Sequence, residues 1–306
     1  MSRVPSAADI AAWAKESAAR VRTDGRRGAF VSLLPVWVKA LQQTSRFADG
    51  GTSIWEFDWD LLLVMDACRY DLAASFVEEY AFLDGLEPSW SVASWTPRWM
   101  RKTFTAESTP PNLRYLCGNP SSDGRLDASL FDELDEVWRY GWDDDSGILP
   151  ARVITDRVIE AARETPVTEK PIVAHYMQPH YPFITRDGER IFWSEPDAWT
   201  RAQDRELSHR KVLDAYRQTM AYALDEVSLL LENVDAERVL ITADHGNCVG
   251  EWGLYGHNAY IPIAALRKVP VAPTTATDHG THQPATNYTN VETSAEEQLS
   301  ALGYTE

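Results

Sequence analysis

VLITADHGNCVGEWGLYGH, running from Val239 to His257, joins two patterns that belong together at the edge of a parallel sheet. Its β-branched and aliphatic opening reads as a strand covered on both faces, and it stops abruptly at Asp244-His245-Gly246. Ligands gather beyond the carboxyl ends of such strands. Asp beside His supplies a hard carboxylate and a borderline imidazole, a pair that suits a divalent cation of the Mg, Mn, Fe or Zn type. Gly246, Gly250, Gly253 and Gly256 keep the following loop free of bulk, so its backbone can pass close to a small anion, and His257 closes it. Taken alone, the stretch reads equally well as a strand, a loop and a core histidine.

A second strand with the same ending tips the balance. In WDLLLVMDACRYD, Trp59 to Asp71, the apolar run Leu61 to Met65 ends in Asp66. Carboxylates at adjacent strand tips repel unless a cation sits between them. Arg69 and Asp71 fall on the first turn of the next helix, where Arg69 either faces a bound anion as a substrate-binding group or makes an ordinary salt bridge. A third apolar strand, Pro171 to Met177, carries His175, also placed on the substrate side. It is followed by Gln178-Pro179-His180-Tyr181-Pro182, whose prolines hold His180 at the strand's exit. Between these strands, Thr96-Pro97 is a helix-start signal, with proline at the first helical position and threonine as cap. Unpaired amides there favour an anion, and the hydroxyl becomes a nucleophile if a metal lowers its pKa.

Around this centre, alternating strands and helices predict an α/β three-layer sandwich with a mostly parallel central sheet flanked by helices. Helical patterns cover residues 6 to 22, Gly28 to about Gln43 with a break or kink near Pro35, Leu149 to Glu164, and Glu206 to Asn233. Leu113 to Cys117 and Ile261 to Leu266 read as further strands. The expected division is an amino-terminal helical extension over 1–50, a catalytic domain over 51–269 and an extended tail over 270–306, rich in Thr, Pro and Asn at its start. Asp278-His279-Gly280 repeats the central tripeptide without a strand before it and is read as coincidence.

The 306 residues suffice for one generous core. A net charge of -17 disfavours nucleic acid and offers no basic face to anionic lipid, while the acidic, lysine-poor balance is that of proteins adapted to concentrated salt. Three scattered cysteines favour reduced thiols over a disulfide framework. No apolar window is long enough to span a membrane and no signal core opens the chain, so a soluble, cytoplasmic protein is expected. The oligomeric state is not written in the sequence.

These residues resemble the sulfatase-like branch of the alkaline phosphatase superfamily, in a haloarchaeal type. LLLVMDACRYD is similar to that family's first metal-binding strand, D-S-L-R-x-D. HYMQPHYPF is similar to its H-x-x-x-P-H-x-P-Y segment, and ITADHGNCVGEWGLYGH to S-D-H-G-E-x-x-G-E-H-G-x-x-G-H; the closing Gln298 to Tyr304 is similar too. The resemblance implies one divalent ion (Mn, Mg, Zn or Ca) held by Asp66, Asp244 and His245, with His180 and His257 touching the transferring group or protonating the leaving oxygen. It implies a small anionic ester as substrate, of a sugar or lipid head group, while 306 residues leave no room for the large carboxy-terminal subdomain common in bigger sulfatases. Formylglycine needs C-x-P-x-R or S-x-P-x-R, whereas Trp95 stands two before Pro97. Relatives with S-W-T-L-P-S-H use threonine, and Ser94-Trp95-Thr96-Pro97 matches with one residue missing, so Thr96 is the expected nucleophile and Ser94 its reserve. Ala67, Asn247 and Trp252 replace the family's second Asp, Glu and His. A degenerate member that binds an anion without turnover is the alternative.

Overall fold

The computed structural model describes residues 6–44, 50–143, 147–192, 196–285 and 298. It divides into two compact units, residues 1–48 with 260–262, and residues 49–259 with 263–306.

The first unit is a helical hairpin, Ala7–Asp24 and Arg26–Thr44. Gly25 turns it at φ 57°, a left-handed conformation that glycine adopts without steric cost. The two helices cross so closely at Gly28 that a Cβ there would lie 2.1 Å from the Arg20 carbonyl oxygen. Trp13 Nε1 donates to the Ser32 carbonyl across the same crossing, at 3.1 Å. The helix runs unbroken through Pro35, so the break expected there does not occur.

The second unit is built on a seven-stranded sheet. Its strands are β1 (Leu61–Met65), β2 (Glu87–Trp90), β3 (Arg114–Cys117), β4 (Glu133–Asp135), β5 (Ile172–Tyr176), β6 (Ala236–Thr242) and β7 (Lys268–Ala276). They lie in the order β2-β7-β6-β1-β5-β3-β4. All pairings are parallel except the two made by β7. Alternate residues of β1 face opposite sides. Leu61, Leu63 and Met65 join one core with the helices Ala151–Glu164 and His209–Leu231. Leu62 and Val64 join the other, with Trp99 and Met100 from the helix Thr96–Thr103 and Phe104 just past its end. The result is the three-layer α/β sandwich expected. All five β1 side chains are fully buried, each stabilising by about 1.5–3 kcal/mol.

Two expectations fail near the end of the chain. Residues 268–276 are a strand inside the sheet, although a tail was expected from 270. Beyond it, Asp278 pairs with Arg163 at 2.8 Å and His282 reaches the buried Asp156 at 2.6 Å, so this segment is clipped to the sandwich. Ile261 to Leu266 is not a strand, because Ala264–Arg267 forms a helical turn that leads into β7. The motif segment Leu299 to Tyr304 lies outside the described residues.

Candidate metal and anion site

Register places the candidate groups at one edge. Val64 on β1 is level with His175 on β5 and with Thr242 on β6, so Asp66 and Asp244 each emerge two residues beyond the same line. On β3, Cys117 is also level with His175, and Asn119 follows it. β2 runs parallel to β6 on the far side of β7 and delivers Ser91, Ser94 and Thr96 to this edge.

The sandwich thus gathers Asp66, Thr96, His175, Asp244 and His245, each 0% exposed. His245 Nδ1 lies 2.8 Å from the Gly246 carbonyl oxygen. A carbonyl only accepts, so Nδ1 carries the proton and Nε2 is the basic nitrogen. That nitrogen lies 3.0 Å from Thr96 Oγ1, 3.4 Å from Asp244 and 3.7 Å from Asp66. The short helix has Trp95 as its N-cap with no side-chain cap bond, so Thr96 does not cap it as expected. Its hydroxyl faces His245 instead and also serves Asp66 and Asp244 as a hydrogen-bond partner. Ser94 is also buried, but the hydroxyl that reaches His245 belongs to Thr96.

The donors fit a cation. Asp66 Oδ1, Asp244 Oδ2 and His175 Nε2 are buried without a hydrogen-bond partner. Asp66, His175 and Asp244 can each offer a ligand atom within 4.8 Å of the others. Such orphans are costly unless something positive sits among them. Burial, and then Asp244, push the Asp66 carboxyl well above the usual carboxylate range. Burial works in the same direction on Asp244, but the neighbouring His245 and His175 carry it below its ordinary value. Burial pushes His175 and His180 down to about 4 and His257 well below its usual value, so all three imidazoles are neutral near pH 7. His180 Nδ1 donates to the Tyr181 carbonyl, which leaves its Nε2 to accept from His257 Nε2 at 2.7 Å. The His257 ring lies 4.9 Å from that of His245.

Of the two roles open to Arg69, the structure shows the salt bridge: it forks onto Asp71 at 2.7 and 2.6 Å and reaches Glu251 at 2.5 Å and the Asn247 carbonyl at 3.1 Å. It is a brace for the 247–251 loop. His175, placed on the substrate side, stands among the groups able to hold a cation. Sequence reasoning also missed three residues: Ser91, which donates to the Asp244 carbonyl, Asn119, which donates to Asp66 Oδ2, and Tyr115, whose hydroxyl lies 2.7 Å from His175 Nδ1. The one available signal was Asn119-Pro120 at a strand exit.

Backbone geometry completes the centre. Ala67 has φ 61°, left-handed and costing about 1–2 kcal/mol for a residue with a Cβ. The bend aims its N–H at Asp244 Oδ1, 3.0 Å away. Gly246 leaves no room, since a Cβ would lie 2.3 Å from the Ala265 carbonyl oxygen and 3.0 Å from Arg69 Cγ. Gly246→Ala is therefore expected to cost roughly 2–3 kcal/mol in urea unfolding and to displace His245.

No protein-family model matches the chain, and no curated protein matches it. Solved structures do. The soluble domain of lipooligosaccharide phosphoethanolamine transferase A from Neisseria meningitidis superposes with a TM-score of 0.51 at 15% identity, covering 72% of this chain and 77% of that one. The integral membrane form of the same transferase gives 0.50 at 13% identity, covering 72% of this chain and 48% of that one. A protein in the alkaline phosphatase superfamily from Vibrio parahaemolyticus gives 0.41 at 10% identity, covering 78% and 69%. No described helix of this chain is long and apolar enough to cross a membrane. The architecture at whose strand tips these carboxylates and imidazoles meet is thus the fold of the phosphoethanolamine transferase soluble domain.

Proposed function

We propose that the protein is a metal-dependent transferase or hydrolase of phosphate, phosphonate or sulfate esters that uses Thr96 as its nucleophile. The observation that carries this is the Thr96 hydroxyl, 3.0 Å from the basic nitrogen of His245 and next to two carboxylates with orphaned oxygens. Asp66, Asp244 and His175 would hold one divalent ion, and His245 Nε2, whose lone pair faces the Thr96 hydroxyl, would take its proton. That ion supplies positive charge, which favours loss of the hydroxyl proton and steadies a bound anion. Thr96 Oγ1 attacks phosphorus or sulfur, and the His180–His257 pair, which holds one proton between its facing nitrogens, serves the leaving oxygen. Sulfatases with formylglycine release sulfate by elimination from a diol, a route closed to a plain threonine ester. Phosphoryl or phosphonyl transfer is therefore the preferred chemistry, completed by water or by an acceptor alcohol. A lipid or sugar head group is the proposed carrier, in line with the lipooligosaccharide transferase that shares the fold.

A non-catalytic anion binder is the second reading, favoured by the complete burial of Thr96, Asp66, Asp244 and His245. Turnover of aryl phosphate, phosphodiester, phosphonate and sulfate esters with Mn, Mg and Zn separates the two. The enzyme reading expects metal-dependent release of the aryl group and, by mass spectrometry, an adduct on Thr96. Metal-dependent phosphate binding with no turnover and no adduct on Thr96 or Ser94 supports the binder.

A further inference from the structure

We infer that Tyr115 and Asn119, on β3 and at its exit, are positioning residues that set how His175 and Asp66 present themselves to a bound cation. The inference rests on the reading of the Asp66–His175–Asp244 group as a cation site and adds to it two residues of a strand that contributes no ligand.

His175 is fixed from two sides. The Trp99 ring meets the imidazole in a T-shaped contact, with centroids 5.6 Å apart, and Tyr115 Oη lies 2.7 Å from Nδ1. The second contact decides the tautomer. If Tyr115 donates to Nδ1, the imidazole proton sits on Nε2 and no lone pair faces the carboxylates. If Nδ1–H donates to Tyr115, the Nε2 lone pair points to Asp244 Oδ2, 4.0 Å away. The Tyr115 hydroxyl also pairs with the Cys117 thiol, which gives its proton another acceptor, and Nε2 makes no hydrogen bond. This fits the second tautomer, with Tyr115 accepting from Nδ1.

Asp66 is fixed by a residue just beyond the same strand. Asn119 Nδ2 takes Oδ2, leaving Oδ1 as the orphan. The amide is itself held, since its Oδ1 accepts from Ser121 N at 2.7 Å, which settles which end of the side chain faces Asp66. One short strand thus orients two of the three groups through atoms that never face the cation. Partners of this kind, one layer behind the ligands, typically change metal affinity by about 10–100-fold when removed.

Zinc and cobalt(II) titrations of the full chain test this, comparing the wild type with Tyr115→Phe, Asn119→Ala, Asp244→Ala and Leu116→Ala. Tyr115→Phe keeps the ring in its aromatic cluster and removes only the hydroxyl. Tyr115→Phe and Asn119→Ala are each expected to weaken binding about 10–100-fold. Tyr115→Phe should also shift the visible cobalt spectrum. Leu116→Ala, on the other face of β3, should lower the thermal midpoint and leave the spectrum unmoved. Wild-type affinity and spectrum in Tyr115→Phe, with binding lost in Asp244→Ala, would overturn the inference and leave the cation site standing. Wild-type titration by Asp244→Ala would remove the cation site and the inference with it. If Asn119→Ala does not fold, Tyr115→Phe alone decides.

Discussion

Asp244→Asn is expected to abolish tight binding of Zn or Mn and to lower metal-dependent turnover by roughly a thousandfold or more, because it removes the charge that two strand tips share with a cation. The substitution is nearly isosteric. The Asn oxygen can still accept from Ala67 N and His245 N, which lie 3.0 and 2.8 Å from Asp244 Oδ1. The fold should therefore persist without metal, with two opposed changes near neutral pH. Asp66, raised by burial and by Asp244, regains part of the stability that it loses as pH rises through its folded pKa, while the stability that Asp244 contributes above its unfolded pKa, through its own lowered value, is given up. In the wild type the cation must also displace any proton on Asp66, so metal affinity should climb as pH rises. Calorimetry with and without zinc measures both effects, and an unchanged zinc-induced shift in Asp244→Asn would refute the site.

Thr96→Ala should reduce turnover by about ten-thousandfold or more, the scale on which a covalent nucleophile acts. Thr96→Ser keeps the oxygen and should stay within about tenfold, whereas Ser94→Ala should stay within about threefold, since only the Thr96 oxygen reaches His245. Thr96→Ala also leaves the buried His245 Nε2 without its partner, at a cost of about 1–3 kcal/mol, so the rate is compared per folded molecule, with the thermal midpoint measured alongside. Equal loss in Ser94→Ala and Thr96→Ala would move the nucleophile assignment or end it.

The parts of this site that could be read from sequence are those carried by strands whose two faces are both covered. Such strands appear as apolar runs, and the residue that ends the run is the residue at the tip, which identified Asp66, Asp244 and His245. What stayed hidden depends on register. Tyr115 lies in a four-residue strand with nothing to distinguish it from core, and its importance comes only from β3 pairing with β5 so that Cys117 meets His175. His175 itself sits one residue before the end of its strand, and only the neighbouring strands show that its ring points inward at the carboxylates. β7 was missed for a different reason. Pro270 and Pro273 argue against an interior strand, because each lacks an N–H for the ladder. Here each is paired on one side only, Pro270 with Pro88 on β2 and Pro273 with Leu240 on β6.

The place of β7 between β6 and β2 has a consequence for the order of assembly. Among the described strands β2 meets the sheet only through β7, so its ladder waits for residues 268–271 although it precedes them by most of the domain. The helix Thr96–Thr103 need not wait with it, because Trp99 and Met100 pack with Leu62 and Val64 of β1, so the late strand closes a margin of the sheet rather than founding its centre.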